Sequence, residues 1–363
     1  NSELMESLLH LGDCRVGGGI KTVERAKELV KKGAKKIIIG STAFRTDEGF
    51  GVNSSFLQGL SQAIGRERII VAVDARNGKI VVDGWKTETG LDLVETALQV
   101  EKWAGELLFT CTEREGLLGG IDMQQVRTLS QAVSCQVTAA GGITSLEEIR
   151  QLAEMGCNAQ LGMAVYTGKL SMAEAFVESL NWKKVDLIPL IAQSNTGQVL
   201  MTGYTDRDAL LASFQRNKLC FFSRTRQGLW MKGETSGNSL ELLSIRHDCD
   251  RDALLARVVP AGPTCHTGSW SCFGQRQWSW QDLHAVVSDR FKNPSPASYT
   301  ATLDDERVRE KIMEEAEEVC TAKGRAEIIW EVADLLYFAT VLMAKEKVSV
   351  EDVLAELAGR HKK

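Results

Sequence analysis

Short apolar runs rich in Val, Ile, Leu and Phe recur through the first half of the chain, separated by stretches whose apolar residues fall three or four apart. The runs are CRVGGGI from Cys14, KKIIIGS from Lys35, RIIVAVDA from Arg68, ELLFTCT from Glu106, CQVTAAGGI from Cys135 and NAQLGMAV from Asn158. Apolar runs of this length bounded by Gly or polar residues are strand signals, and the three-and-four spacing is that of an amphipathic helix. Six strands alternating with helices predict parallel β/α units.

The same half repeats itself. VGGGIKTVERAKELVKKGAKKIIIGSTAF and TAAGGITSLEEIRQLAEMGCNAQLGMAVY share strand, glycine turn, helix, strand and glycine turn, offset by about 123 residues. In the second copy Ser145 and Glu148 have the spacing of a capping box, which predicts a helix start there. A duplication of this kind predicts an eight-stranded (β/α) barrel built from two halves. Six strands are found, so two are expected ahead of Asn1, and the barrel is expected to be incomplete.

Beyond residue 181 the pattern changes to short strands with Trp and Gly, and the five prolines all lie there. FKNPSPASYTATL, from Phe291, predicts a linker, and the remainder is helical with a 3.6-residue period. The expected division is 1–181 for the barrel, 182–283 for a small mainly-β α+β metal-binding domain, and 284–363 for an all-α domain.

Composition narrows the function classes. With 43 Lys and Arg against 48 Asp and Glu there is no basic field, which argues against polymeric nucleic acid as a partner. No run reaches the roughly 18 to 20 apolar residues of a membrane span. Nine cysteines, an odd number scattered over 363 residues, predict a reducing, cytoplasmic setting rather than a disulfide framework. An N-terminal targeting segment upstream of Asn1 stays open.

The glycines of the repeat fall at strand ends. Gly17, Gly18 and Gly19 with Gly40 and Ser41 form one group, and Gly141 and Gly142 with Gly162 and Ala164 the other. Glycine turns entering helices let backbone N–H groups approach phosphate oxygens, so a substrate with a phosphate at each end fits the pair, although tight packing turns have the same composition. Asp74 ends an apolar strand, where barrel enzymes place catalytic groups, and could equally open the Asn77–Gly78 turn. On these words residues 14–180 resemble phosphoribosylformimino-aminoimidazole carboxamide ribotide isomerase, from its third strand onward. The resemblance implies that Asp74 is the general acid of the second half, that Thr110 touches substrate, and that Glu115 in TEREG stands where many members carry Asp.

HDCDRD, residues 247–252, would as an extended strand put Asp248, Asp250 and Asp252 on one face and Cys249 and Arg251 on the other. Three carboxylates suit a hard ion such as Mg²⁺, and Cys249 with Cys265 and Cys272 offers three thiolates, leaving an open position on a tetrahedral zinc. Spacing alone leaves buried cysteines and a solvated acidic edge as alternatives. The surrounding words IAQSNTGQVLMTGY, FFSRTRQGLWMKGETSGN, RHDCDRDALLARV and GPTCHTGSWSCF resemble phosphoribosyl-AMP cyclohydrolase. That resemblance implies Zn²⁺ on the three cysteines, drawn from both subunits of a homodimer, and Mg²⁺ on the three aspartates. It also implies proton transfer by His266, and a substrate loop of Lys232, Glu234, Thr235, Ser236, Gly237 and Asn238.

In the helical tail, Glu314, Glu315 and Glu318 share one helix face, and Glu331 with Asp334 repeat the arrangement on the next. Two antiparallel helices could gather these five around Mg²⁺, although a solvated acidic face has the same spacing. Asp334 among apolar residues is harder to explain as surface. Residues 298–363 resemble phosphoribosyl-ATP pyrophosphohydrolase, which implies Mg²⁺ on those carboxylates, catalysis by Glu315 and Glu318, and a phosphate contact for Lys311. Phe338 stands where many members carry His.

The three resemblances name consecutive steps of one pathway. The expectation is therefore a multifunctional histidine-biosynthesis enzyme acting on phosphoribosyl-ATP and phosphoribosyl-AMP, dimeric through its cyclohydrolase and helical domains. The alternatives are a bifunctional hydrolase with a barrel that only binds phosphate, and a zinc-stabilised scaffold without activity.

Overall fold

The computed structural model describes residues 2–9, 12–114, 116, 119–295 and 298–361. Glu115 lies outside the described residues. Each of the six predicted runs contains a strand: β1 (Arg15–Gly17), β2 (Lys36–Ile39), β3 (Ile69–Ala72), β4 (Glu106–Thr110), β5 (Gln136–Ala140) and β6 (Asn158–Ala159). They form one six-stranded sheet in chain order, every neighbouring pair parallel. Helices α1 (Val23–Lys31), α2 (Ser54–Ile64), α3 (Leu93–Val100), α4 (Met123–Ala132) and α5 (Leu146–Glu154) alternate with the strands. Their apolar faces, among them Leu29, Leu60, Val100, Leu129 and Leu152, are buried against Ile37, Val71, Leu107 and Val137 of the sheet.

The sequence repeat is also a backbone repeat. Thr22 caps α1 at φ −134°, ψ 154°, and Ser145 caps α5 at φ −133°, ψ 152°. The capping box at Ser145 and Glu148 is formed. Gly18 and Gly141 sit at φ 95° and 93°, in the left-handed region that only glycine enters freely. Gly40 and Gly162 adopt φ, ψ of −103°, −113° and −121°, −108°.

A second sheet has β7 (Ile188–Ser194), β8 (Val199–Thr205), β11 (Leu240–His247) and β12 (Leu254–Pro260) in the order β8-β7-β12-β11. The hairpin β9 (Cys220–Ser223) and β10 (Gly228–Met231) and helix α6 (Arg207–Arg216) complete this unit, with Leu190, Leu210, Phe221 and Val258 in its core. The last unit is helical: α7 (Trp280–Lys292), α8 (Asp305–Thr321) and α9 (Arg325–Lys345) pack around Val287, Val308 and Val341.

Three sequence expectations need correction. The division after residue 181 is too late, because Val177 and Leu180 already pack into the second core. The division after residue 283 cuts α7, whose Trp280 indole donates to Thr340 Oγ1 of α9 at 2.7 Å. The expected linker contains a helical turn, Tyr299–Thr302, in which Thr300 is fully buried and hydrogen-bonded to the Tyr337 hydroxyl at 2.6 Å. Pro and Ser composition predicts a connection, whereas one buried hydroxyl makes the segment packed structure.

Glu106 on β4 is fully buried, an expensive place for a charge unless it is paired. Lys36 Nζ lies 2.6 Å from it, and Arg15 and the Thr138 hydroxyl also donate to it, so strands β1, β2 and β5 converge on one carboxylate. Burial pushes its pKa up, but Lys36, Thr138 and Arg15 outweigh burial and hold it below the ordinary value of 4.5. A depressed carboxylate pKa contributes stability that is present above the unfolded value and is lost as pH falls through the folded one. Glu106→Gln is expected to lower the unfolding free energy by about 1–3 kcal/mol at pH 7, since Arg15 and Lys36 keep partial access to water. Urea titrations at pH 7 and pH 4 should show the gap to the unsubstituted protein shrinking at the lower pH.

Candidate functional sites

At the C-terminal ends of β1 to β4 a cavity of about 830 Å³ is lined by Gly18, Gly19, Gly40, Ser41, Asp74 and Thr110. A three-stranded antiparallel flap, Ala75–Arg76, Lys79–Val82 and Thr87–Asp92, stands over it. Trp85 of the flap, at φ 68°, donates its indole N–H to Asp74 Oδ2 at 2.9 Å. Burial raises the Asp74 pKa, opposed by hydrogen bonds from Trp85 and Thr110. Asp83, also lining the cavity, is ion-paired with Arg45, and its backbone N–H donates to Ser41 Oγ at 2.9 Å. Neither Trp85 nor Asp83 carried a sequence signal, since their place follows from how the flap folds back.

The second glycine group lines its own recess of about 50 Å³, formed by Gly141, Gly142, Gly162 and Ala164 with Gln160, which also borders the larger cavity. Gly142 is irreplaceable on steric grounds: at φ 83°, an added Cβ would lie 2.7 Å from the Gly120 carbonyl oxygen. Gly142→Ala is expected to cost at least about 2 kcal/mol, combining the left-handed strain with the backbone clash. Chemical denaturation reads this out.

The HDCDRD stretch is not a strand. β11 ends at His247, and residues 248–253 turn back into β12, with Arg251 left-handed at φ 63°. Asp248 Oδ1 accepts from the backbone N–H groups of Asp252 at 3.1 Å and Ala253 at 3.2 Å. The turn removes the expected two faces: ligand atoms of Asp248, Cys249 and Asp250 all lie within 4.8 Å of one another. Asp252 is drawn to Lys184, which also pairs with Asp250 at 2.7 Å. The Lys184 contact holds the Asp250 carboxyl below its ordinary pKa.

Cys265 and Cys272 do come together, each a hydrogen-bonding neighbour of the other's sulfur. Cys265 Sγ lies 3.1 Å from the Thr267 hydroxyl, and that contact, with the Cys272 neighbour, lowers its pKa. His266 is exposed, with Nδ1 3.9 Å from Cys265 Sγ. Cys249 is elsewhere. The Cys272 N–H is bonded to Leu200 on edge strand β8, whereas Cys249 follows β11 at the opposite edge. Three strand intervals of ~4.8 Å separate those edges by roughly 14 Å, far beyond a shared ion with ~2.3 Å Zn–S bonds. Within a single chain Cys249 therefore lies apart from the Cys265–Cys272 pair and groups instead with Asp248 and Asp250; the expected zinc site, drawn from both subunits, involves a second copy of the chain.

The loop Lys232–Asn238 packs beside that pair. Lys232 is buried under Trp230, with Nζ 5.8 Å from the ring centroid, and Glu234 pairs with Arg226 at 2.6 Å. Thr235, Ser236 and Gly237 form the turn, closed by the Gly237 N–H on the Gly233 carbonyl at 2.9 Å. The Asn238 amide reaches Pro263 O at 2.9 Å, which ties this loop to the segment carrying Cys265.

In the helical unit, Glu315 and Glu318 of α8 and Glu331 of α9 bring carboxylate oxygens within 4.8 Å of one another, with Glu315 buried. Burial first, then Glu318, Glu315 and Asp334, raise the Glu331 pKa, as crowded like charges do. The grouping is tighter than expected: Glu314 turns to Lys311 at 2.7 Å, and Lys311 also reaches Glu315 at 3.1 Å. Lys311 thus stands between carboxylates, and over the Phe338 ring at 5.5 Å.

Comparison with known proteins places these sites in context. Residues 2–171 match the family described as histidine biosynthesis protein, 201–274 phosphoribosyl-AMP cyclohydrolase, and 280–361 phosphoribosyl-ATP pyrophosphohydrolase. The histidine biosynthesis bifunctional protein HisIE of Photobacterium profundum is 42% identical over 206 residues, 52% of this chain and all of the relative. The chain belongs to the HisIE family. HisIE of Vibrio cholerae is 42% identical over 200 residues, 51% of this chain and 95% of the relative. That of Escherichia coli O6:H1 is 40% identical over 193 residues, 50% and 95% respectively. The chain is thus an enzyme of histidine biosynthesis in which cyclohydrolase and pyrophosphohydrolase domains are fused behind an isomerase-type histidine-biosynthesis domain.

Proposed function

We propose that the helical unit splits phosphoribosyl-ATP into phosphoribosyl-AMP and pyrophosphate, and that the central unit then opens the adenine ring of phosphoribosyl-AMP by hydrolysis. The observation that carries this reading is the convergence of Glu315, Glu318 and Glu331 from two helices, inside the segment that matches the pyrophosphohydrolase family. Carboxylates so close repel, and a cation between them would relieve that repulsion. Mg²⁺ held there would neutralise the phosphate chain, with Asp334 beside the group and Glu315 or Glu318 orienting the attacking water. Lys311, already at the rim, is the side chain able to leave Glu314 for a phosphate oxygen.

In the central unit Cys265 and Cys272 would hold Zn²⁺ together with Cys249 from a second copy of the chain. Zinc held there would supply a water of lowered pKa as the nucleophile. His266, exposed beside Cys265, is placed to move the proton, while Lys232 and the 235–238 turn receive phosphate and ribose. The aspartates 248, 250 and 252 would hold Mg²⁺ in place of Lys184. A dimer also accounts for the exposed apolar side chains of the helical unit, with Trp330 70% and Ile329 57% exposed. The setting is the cytoplasm, where nine unpaired cysteines remain reduced.

The N-terminal unit, read as part of an isomerase-like (β/α)8 barrel, binds a substrate with two phosphates across its two glycine recesses, and Asp74 with its raised pKa is the proton donor. Among the described lining residues of the larger cavity, Asp83 is committed to Arg45, which leaves Asp74 as the carboxylate open to chemistry. That favours phosphate binding as this unit's minimum role, with isomerisation requiring a base from elsewhere.

The two hydrolytic activities are expected to separate by substitution. Cys265→Ser should reduce ring opening of phosphoribosyl-AMP at least about 100-fold and leave pyrophosphate release intact, and Glu331→Gln should do the reverse. Ultraviolet absorbance of the opened ring and a pyrophosphate assay read the two steps in one preparation. Joint loss in either variant, or loss in neither, would contradict the assignment.

A further inference from the structure

The acidic turn of the central unit is held from outside by the N-terminal unit and the chain that joins the two. Arg251, between Asp250 and Asp252, does not pair with either neighbour. Its guanidinium leaves the turn and donates to the Cys157 carbonyl at 2.9 Å and to Asn158 Oδ1 at 3.3 Å, at the entry to β6. The backbone is bent to suit: Arg251 is left-handed, a conformation that side chains with a Cβ rarely adopt. On the other flank, the Asn181 N–H donates to Arg251 O at 2.9 Å and the Asn181 amide to Asp250 O at 3.4 Å. Lys184 completes the ring by pairing with Asp250 and Asp252.

Two features make this more than an incidental contact. An arginine between two aspartates would ordinarily neutralise them, yet its donors go to neutral oxygens across the boundary, so the interaction fixes position rather than cancelling charge. Because Arg251 is adjacent in sequence to both carboxylates, fixing its backbone and side chain fixes the directions from which Asp250 and Asp252 leave the turn.

We propose that the N-terminal unit is a positioning element for the cyclohydrolase, with Arg251 as a clasp that preorders the acidic turn for a divalent cation. The proposal rests on reading that turn as a cation site. Groups that orient ligands from behind commonly change metal affinity by about 10-fold or more when removed. Arg251 and Asn158 are positioning residues in this account, since neither touches substrate.

The test uses the full chain. Arg251→Asn keeps a residue tolerant of the left-handed backbone and removes the clasp, and Asn158→Asp gives Arg251 a carboxylate and tightens it. Hydrogen exchange of the Asp252 and Ala253 amides, both bonded to Asp248 Oδ1, reports order in the turn without any metal. Mn²⁺ binding by electron paramagnetic resonance, in a Glu331→Gln background that disables the helical carboxylates, reports affinity. Arg251→Asn is expected to accelerate exchange and weaken Mn²⁺ binding about 10-fold, Asn158→Asp to shift both the opposite way, and neither to alter pyrophosphate release when made alone. Unchanged exchange in both variants overturns the clasp. Faster exchange with unchanged Mn²⁺ affinity overturns its positioning role. If Mn²⁺ binding in the background protein is insensitive to Asp250→Asn, the cation-site reading has failed and the positioning role with it, while exchange still reports separately on the clasp.

Discussion

Carboxylates brought within a few ångströms of each other repel, and each unit of this chain is organised around supplying the countercharge. Glu106 is answered by Lys36 and Arg15, which ties the first two sheet positions to the fourth. Asp250 and Asp252 are answered by Lys184. Glu315, Glu318 and Glu331 lie together beside Lys311, which pairs with Glu314 and Glu315.

The parallel sheet was legible because its signals are local. Runs such as KKIIIGS and CQVTAAGGI carry strand propensity and glycine turns within a few residues, and the Ser145 capping box is written in four. The helical carboxylates were legible for the same reason, since i, i+3 and i, i+4 spacing is preserved whatever packs outside. The acidic turn was misread because alternation is a strand signal only if the backbone remains extended. Asp248 instead accepts two backbone N–H groups from residues ahead of it and closes a turn. Side-chain competition of that kind leaves the same letters with a different geometry.

Contacts distant in sequence were the least legible. Nothing in the letters pairs Trp85 with Asp74, or Arg251 with Asn158, because each depends on how a flap or a turn is carried by its sheet. The thiolates are a different case. Three cysteines suggest one site, but β8 and β11 are opposite edges of one sheet, and residue spacing contains no information on which edge a loop will leave.

The three apolar cores follow one another along the chain, from Leu9 to Ala175, Val177 to Val258 and Val287 to Val341. Residues two apart on the helix Met172–Glu178 face different cores, Ala175 the first and Val177 the second. On the ribosome, such a chain can collapse each core as it emerges, with little to wait for downstream. That helix is the exception: one of its faces has a finished surface to settle on long before the other does. It is therefore the natural point at which synthesis of one unit templates the start of the next.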